Sequence, residues 1–316
     1  MNPITSDKTA FLFPGQGSQE IGMGAELSEV YPLAEETFSR ANAVLRFEIS
    51  KLAWEGPAAD LNDTVNTQPA LLVHSVAALR LLQEELPEIE PRYVAGHSMG
   101  ELTALVASGA LPFSDALLLA RRRGELMKAA GEAAPGSMAA ILALDIPTTE
   151  EVCMQASNRD EIVQVANDNC PGQVVISGHQ AAIDRAMVLA EEAGARKVVK
   201  LAVSIAAHSP LMSFAQADFN QAVDQAPLQT PRIPIIGNVS AQPLTTIDEI
   251  RQDLQAQLNA RVRWTETIQF MISKGVTTFI EIGSGDVLTS LVKRINRSST
   301  RYTLGTPGDF QKLLDA

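Results

Sequence analysis

Cysteine is nearly absent from this 316-residue sequence, which holds only Cys153 and Cys170. Two thiols cannot build a disulfide framework, and no Cys/His spacing fits a metal site. Both are read as free thiols in a reducing compartment. Long apolar runs are also lacking. The most apolar stretch, residues 69–82, is broken by His74 and Arg80 and is too short to span a bilayer. The N-terminal residues Met-Asn-Pro-Ile-Thr-Ser-Asp-Lys carry no basic-then-apolar signal pattern. A soluble, cytoplasmic protein without membrane association is expected. Basic charge is scarce: 25 Lys and Arg stand against 37 Asp and Glu, a net charge of −12. A phosphate backbone needs a basic face, so this balance argues against a nucleic-acid partner. It leaves an acidic protein partner open, because docking depends on local charge. Repeats and low-complexity tracts are missing too. What is present is 46% hydrophobic and 20% charged, the composition of an ordinary globular chain. The length suffices for one large core, or for a large domain with a smaller one attached.

Along the chain, strand and helix periodicities alternate. Thr9–Phe13 reads as a buried strand before a glycine-rich loop, and helical patterns cover 31–45 and 68–86. A short strand at 93–95 runs through Gly96-His97-Ser98-Met99-Gly100 into a helix at 101–107. Such alternation implies a mainly parallel sheet covered by helices. The middle of the chain has another rhythm: strand 138–144, helix 149–157, strands 162–166 and 174–177, helix 181–192, strand 197–203. The two central strands are separated by a turn-rich segment at 167–172. That order is βαββαβ, the ferredoxin-like pattern. Residues 133–203 are therefore expected to form an inserted small domain, with 1–132 and 204–316 forming the large one. Later strands are expected at 233–237 and 277–282, and a helix at 284–295.

Gly96-His97-Ser98-Met99-Gly100 has the G-x-S-x-G form of a nucleophile elbow. Strand-in, helix-out context favours that reading over a tight turn with a capping serine, and makes the large domain α/β-hydrolase-like. Glycines flank the serine where the turn leaves no room for Cβ. The Met99 N–H would face an incipient oxyanion at a helix N-terminus. A serine nucleophile needs a base, usually histidine, and the chain has four. His97 adjoins Ser98 and should point away from its hydroxyl. His74 lies among apolar helix neighbours and reads as a core histidine. His179 sits in a turn before a helix and reads as a surface or capping residue. His208 stands at a strand-to-helix switch, from which a side chain reaches the carboxyl edge of the sheet. It is the best candidate. Gly15-Gln16-Gly17 is not a dinucleotide fingerprint, which would need glycine at Glu20, nor a P-loop, which would need Gly-Lys. Arg123 interrupts an apolar helix stripe formed by Leu119, Ala120, Leu126 and Met127, whereas Arg121 and Arg122 have Glu125 within reach. An inward guanidinium needs an anionic or multiply hydrogen-bonded partner: an internal carboxylate, or a bidentate ligand carboxylate.

Six segments, in this order, resemble the malonyl-CoA:acyl carrier protein transacylases. They are Phe13-Pro14-Gly15-Gln16-Gly17-Ser18-Gln19, the serine elbow through Glu101, Arg123-Gly124, Asn169-Cys170-Pro171-Gly172-Gln173, His208-Ser209-Pro210-Leu211-Met212 and Glu281-Ile282-Gly283. The resemblance spans nearly the whole chain. It implies a ping-pong acyl transfer from malonyl-CoA to an acyl carrier protein, with Ser98 as nucleophile and His208 as base. It implies that Gln16 and the Met99 N–H form the oxyanion hole and that Arg123 binds the malonyl carboxylate. It assigns the carbonyl that orients His208 to Gln257, although Ala260-Arg261 stands where the family commonly has Asn-Pro. Asn169 and Gln173 match positions near the site and the CoA. No metal or redox cofactor is implied, and a monomer is expected. The partners implied are malonyl-CoA and an acyl carrier protein in fatty acid synthesis. Alternatives are a trans-acting acyltransferase of polyketide synthesis and a serine acyl-hydrolase on the same fold, which would not need Arg123. Carrier docking is expected on Lys293, Arg294 and Arg297, with Arg196, Lys197 and Lys200 as a second basic patch.

Overall fold

A computed structural model describes residues 4–203 and 205–315. Its strands are β1 (Thr9–Phe13), β2 (Tyr93–Gly96), β3 (Gly136–Leu142), β4 (Val163–Cys170), β5 (Gln173–His179), β6 (Lys197–Lys200), β7 (Ile235–Ile236), β8 (Pro243–Leu244), β9 (Thr278–Ile282) and β10 (Thr300–Leu304). One sheet has the order β10-β9-β1-β2-β7-β8 and is parallel except at its β7–β8 edge. The second, β4-β5-β3-β6, is antiparallel throughout and follows βαββαβ in chain order, with helices Ile146–Ala156 and Gln180–Glu192. The protein is thus mixed α/β.

β1, β2 and β9 are buried along their whole length, as continuous apolar strands covered on both faces must be. Alternate residues supply two cores. Phe11, Phe13, Val94 and Ile280 face one, with helices Thr64–Glu85 and Phe113–Ala133. Ala10, Leu12, Tyr93 and Phe279 face the other, with Trp264 and Ile268. In the second sheet, Ala139, Ile141, Val174 and Ile176 pack beneath its two helices. Its opposite face, with Met138, Ala166 and Val175, turns toward Ala207. A cleft therefore opens between that face and the carboxyl edge of the parallel sheet.

Three local expectations change. The turn-rich segment at 167–172 is strand as far as Cys170. Asp168 N–H donates to Val262 C=O at 2.9 Å and Val262 N–H to Ala166 C=O at 2.8 Å, so a distant segment completes the ladder. Only Pro171-Gly172 makes the turn, with Gly172 at φ 72°. The strand expected over 197–203 ends at Lys200. The helix expected from 284 begins at Val287, because Gly283 and Gly285 take left-handed φ of 128° and 79°.

Candidate active site

The elbow is built on sterics. Ser98 lies between β2 and the Gly100–Ala107 helix with φ 52°, a left-handed conformation unfavourable for a residue with Cβ. A Cβ on Gly96 would stand 1.9 Å from the Gly100 carbonyl carbon, and one on Gly100 would stand 2.2 Å from the Phe13 oxygen. The chain can cross itself this closely only with glycine at both places. Asn238, just beyond β7, clasps the turn. Its Oδ1 accepts from Ser98 N–H at 2.7 Å and its Nδ2 donates to Gly96 C=O at 2.8 Å. The sequence analysis did not single out Asn238, because its partners lie 140 and 142 residues away.

Ser98 Oγ lies 2.8 Å from His208 Nε2, and His208 Nδ1 lies 2.8 Å from Gln257 C=O. A carbonyl only accepts, so Nδ1 carries the hydrogen and Nε2 is free to take the serine proton. Burial and then the Arg123 cation push the His208 pKa down to about 3, which keeps the ring neutral. The other histidines are occupied elsewhere. His97 Nε2 meets Asn169 Oδ1 at 2.8 Å, and its ring sets its edge against Trp264. His74 Nε2 meets Gly305 C=O at 3.0 Å, and burial lowers its pKa to about 4. His179 Nδ1 accepts from Ile162 N–H at 3.0 Å.

Arg123 is buried beside Ser98. Its Nη1 donates to Gln68 Oε1 at 2.9 Å; its Nη2 donates to Gln257 Oε1 at 2.8 Å and to Ser98 Oγ at 3.2 Å. Its Nε has no protein partner, and no carboxylate pairs with the guanidinium among the described residues. Of the two partners the sequence left open, an internal carboxylate is therefore not the one used. The neighbouring acid, Glu101, is bound by Gln257 Nε2, and burial with the nearby Asp253 carboxylate raises its pKa well above the usual range. Burial lowers the Arg123 pKa to about 10, partly offset by the Glu101 charge, so it stays a cation that faces a cleft with no ion-pair partner in contact among the described residues. Gln68 is a second residue the sequence did not single out. Its sole signal was an amide at the start of an apolar helix face.

The cleft holds about 870 Å³ and is lined by Gln16, Ser98, Met99, Arg123 and His208. The main-chain N–H groups of Gln16 and Met99 donate to no protein acceptor among the described residues. The Gln16 side chain is engaged through its oxygen, which accepts from Thr64 Oγ1 at 3.0 Å. Asn169 and Gln173 lie on the cleft wall, the first bound to His97 and the second to Arg294. Arg294 also donates to Pro171 C=O at 3.3 Å and Gly172 C=O at 3.4 Å, and Lys200 pairs with Asp184 at 2.9 Å. Those two basic side chains are committed within the chain. Burial raises the pKa of both cysteines, Cys153 to about 12. Among the described residues no cluster of three metal-ligating side chains occurs, and no helix is long and apolar enough to cross a membrane.

The acyl transferase domain family matches residues 10–306 of this chain. A malonyl CoA-acyl carrier protein transacylase of Bacillus subtilis is 45% identical over 300 residues, covering 95% of this chain and 94% of that protein. The crystal structure of a malonyl-CoA:acyl carrier protein transacylase from Xanthomonas oryzae pv. oryzae superposes with a TM-score of 0.95 at 44% identity, covering 98% of each chain. A malonyl-transacylase solved in complex with a type II polyketide synthase acyl-carrier protein gives 0.94 at 38% identity, over 98% of this chain and 99% of that one. With a match of that depth over nearly the whole chain, around a serine, a histidine and a buried arginine, the chain belongs to the acyl transferase family, among the malonyl-CoA:acyl carrier protein transacylases.

Proposed function

We propose that this acyltransferase moves a malonyl group from malonyl-CoA to the phosphopantetheine thiol of an acyl carrier protein, by way of a malonyl ester on Ser98. His208 Nε2 takes the Ser98 proton as Oγ attacks the thioester carbonyl. The oxyanion is met by the main-chain N–H groups of Gln16 and Met99. The C–S bond breaks, and the CoA sulfur leaves with the proton held on His208. The carrier thiol then gives its proton to His208 and attacks the ester carbonyl, and Ser98 Oγ recovers that proton as it departs. Gln257 C=O holds the imidazole in the required tautomer through both halves. Asn169 and Gln173 border the path taken by the pantetheine arm. No step needs a metal or redox cofactor.

The observation that carries this reading is Arg123: a buried cation with no carboxylate in contact among the described residues, 3.2 Å from the Ser98 oxygen. A substrate whose acyl group ends in a carboxylate supplies the missing charge at the point where acyl transfer occurs. A hydrolase of neutral esters has no use for it. All these side chains come from one chain, which supports a monomer as the working unit. The separate antiparallel sheet supports a division into 1–132 with 204–316 and an inserted 133–203. Two buried free thiols support a reducing, cytoplasmic setting. Fatty acid synthesis is the setting proposed. Polyketide synthesis is a second reading, favoured by the likeness to a transacylase bound to a polyketide carrier.

Intact mass of the purified protein after incubation with malonyl-CoA tests the reading. One malonyl adduct is expected on the wild type, discharged by holo carrier protein, and none on Ser98→Ala. An adduct that persists in Ser98→Ala would defeat the assignment. Discharge rates with carrier proteins of the two pathways separate the two settings.

A further inference from the structure

His208 is held in a backbone conformation that its own chemistry disfavours. Its φ is 58°, and a non-glycine residue stays there only where its surroundings fix it. The ring is fixed through Nδ1 and Gln257 C=O, but that bond fixes nothing unless the two backbone segments are themselves held together. Two side chains do so: Gln216, on the helix that follows His208, donates to Gln255 C=O at 2.6 Å and accepts from Asn259 Nδ2, while Gln164 alone of the two bonds the main chain of both segments. Gln164, half-buried on β4 of the antiparallel sheet, donates through Nε2 to His208 C=O at 2.8 Å and to Asn259 C=O at 3.0 Å. Asn259 lies two residues beyond Gln257. Neither carbonyl has another protein donor among the described residues.

We propose that Gln164 is a positioning residue for the base: its amide ties the segment carrying His208 to the segment carrying Gln257, and so sets the imidazole against Ser98. The two amide hydrogens of one nitrogen reach two carbonyls across separations of 44 and 95 residues. An acceptor or an apolar group of the same length cannot do this. The tie also runs from the antiparallel sheet to two segments outside it, so that sheet bears on the base through main-chain carbonyls. Gln164 reaches its partners from a groove beside Cys153, Val239 and Arg261, outside the acyl cleft. The charged and titratable groups facing the His208 ring are Arg123, from the Phe113–Ala133 helix, and His97, on the elbow. Gln164 adds no charge, so it acts through place alone.

This inference rests on the proposed roles of Ser98 and His208, and the test separates the two. The substitution is Gln164→Met, which keeps length and packing but removes the donor. The neighbouring ladder between Val262 and β4 is untouched, which favours a folded variant. Quenched-flow loading of Ser98 from malonyl-CoA is measured for wild type, Gln164→Met, His208→Ala and the double variant. If the wild type forms no adduct, the proposed function fails; if it forms one, the comparison reads Gln164. The single-turnover rate of Gln164→Met is expected to fall about 10- to 100-fold, short of the roughly 10²–10⁴ attributed to a whole general base. KM for malonyl-CoA should stay within about twofold, because Arg123 keeps its contacts. The acid limb of the rate should rise toward the ordinary imidazole range as the ring loses its buried seat. In the His208→Ala background the same substitution should cost nothing further, because a residue acting through the base has nothing left to place. An equal loss in both backgrounds, or a wild-type rate and pH limb in Gln164→Met, overturns the proposal. If Gln164→Met does not fold, Gln164→Glu, which accepts but does not donate above its pKa, is put through the same cycle.

Discussion

Replacing Arg123 with alanine should shift Ser98 loading away from malonyl and toward neutral acyl groups. In the free enzyme the two terminal guanidinium nitrogens donate to Gln68 Oε1, Gln257 Oε1 and Ser98 Oγ, all neutral. A malonyl carboxylate entering the site replaces some of these contacts with a charge-assisted pair in a desolvated pocket. Breaking such a pair by removing one partner costs roughly 2–5 kcal/mol, much of it the penalty of leaving the other charge alone. At 1.36 kcal/mol per tenfold, that is about 30- to 5,000-fold in kcat/KM for malonyl loading. An acetyl group has no carboxylate to strand, so its loading should hold or rise as the pocket enlarges. Two side effects bear on the design. The Gln68 and Gln257 oxygens each lose a donor, which lowers stability by about 1–3 kcal/mol per buried group unless water enters the vacated space. The cation that helps depress the His208 pKa is also lost, so that pKa rises; at pH 8 the ring is neutral in either case. Loading of Ser98 from malonyl-CoA and acetyl-CoA is therefore compared at pH 8, with melting temperature recorded. Parallel loss of both activities in a folded variant would refute the reasoning and make Arg123 a support for Gln257.

Because burial and Arg123 hold the His208 pKa down near 3, the base is neutral at every pH above it, and kcat/KM for Ser98 loading should be as high at pH 5 as at pH 7. A limb near 6.5 would show an exposed base instead. The stability sign follows from the same shift: an unfolded histidine binds a proton near 6.5, so this site's contribution is lost as pH falls from there toward about 3. Gln16→Ala should cost less than about tenfold in kcat, since the main-chain N–H survives and the side-chain carbonyl is bound to Thr64. A loss of about 10²–10³, the worth of a side-chain oxyanion donor, would assign that role to its amide. Asn238→Ala leaves Ser98 N–H and Gly96 C=O without their partner, at about 1–3 kcal/mol each. Its melting temperature and kcat should both drop, and unchanged loading kinetics would show that the glycines alone hold the turn.

Much of this protein was written in local sequence. β1 was legible because a fully buried parallel strand is a continuous apolar run, and the βαββαβ segment because its periods alternate over short, cleanly bounded stretches. The turn at Ser98 was legible because such an elbow needs glycines within two residues of the serine, and its contact with His208 because four histidines leave few choices. Arg123 announced itself as a charge on an apolar stripe, but its partner did not. Only the tertiary structure decided that Gln68 and Gln257 surround it in place of an acid, because those amides come from helices far apart in the chain. The same holds for Asn238 and Gln164. Each meets partners many residues away, and nothing near it in sequence records them. Residue type and local spacing fix which chemistry a chain can perform. Where each donor finds its acceptor is a long-range property, set when the two sheets close on one cleft.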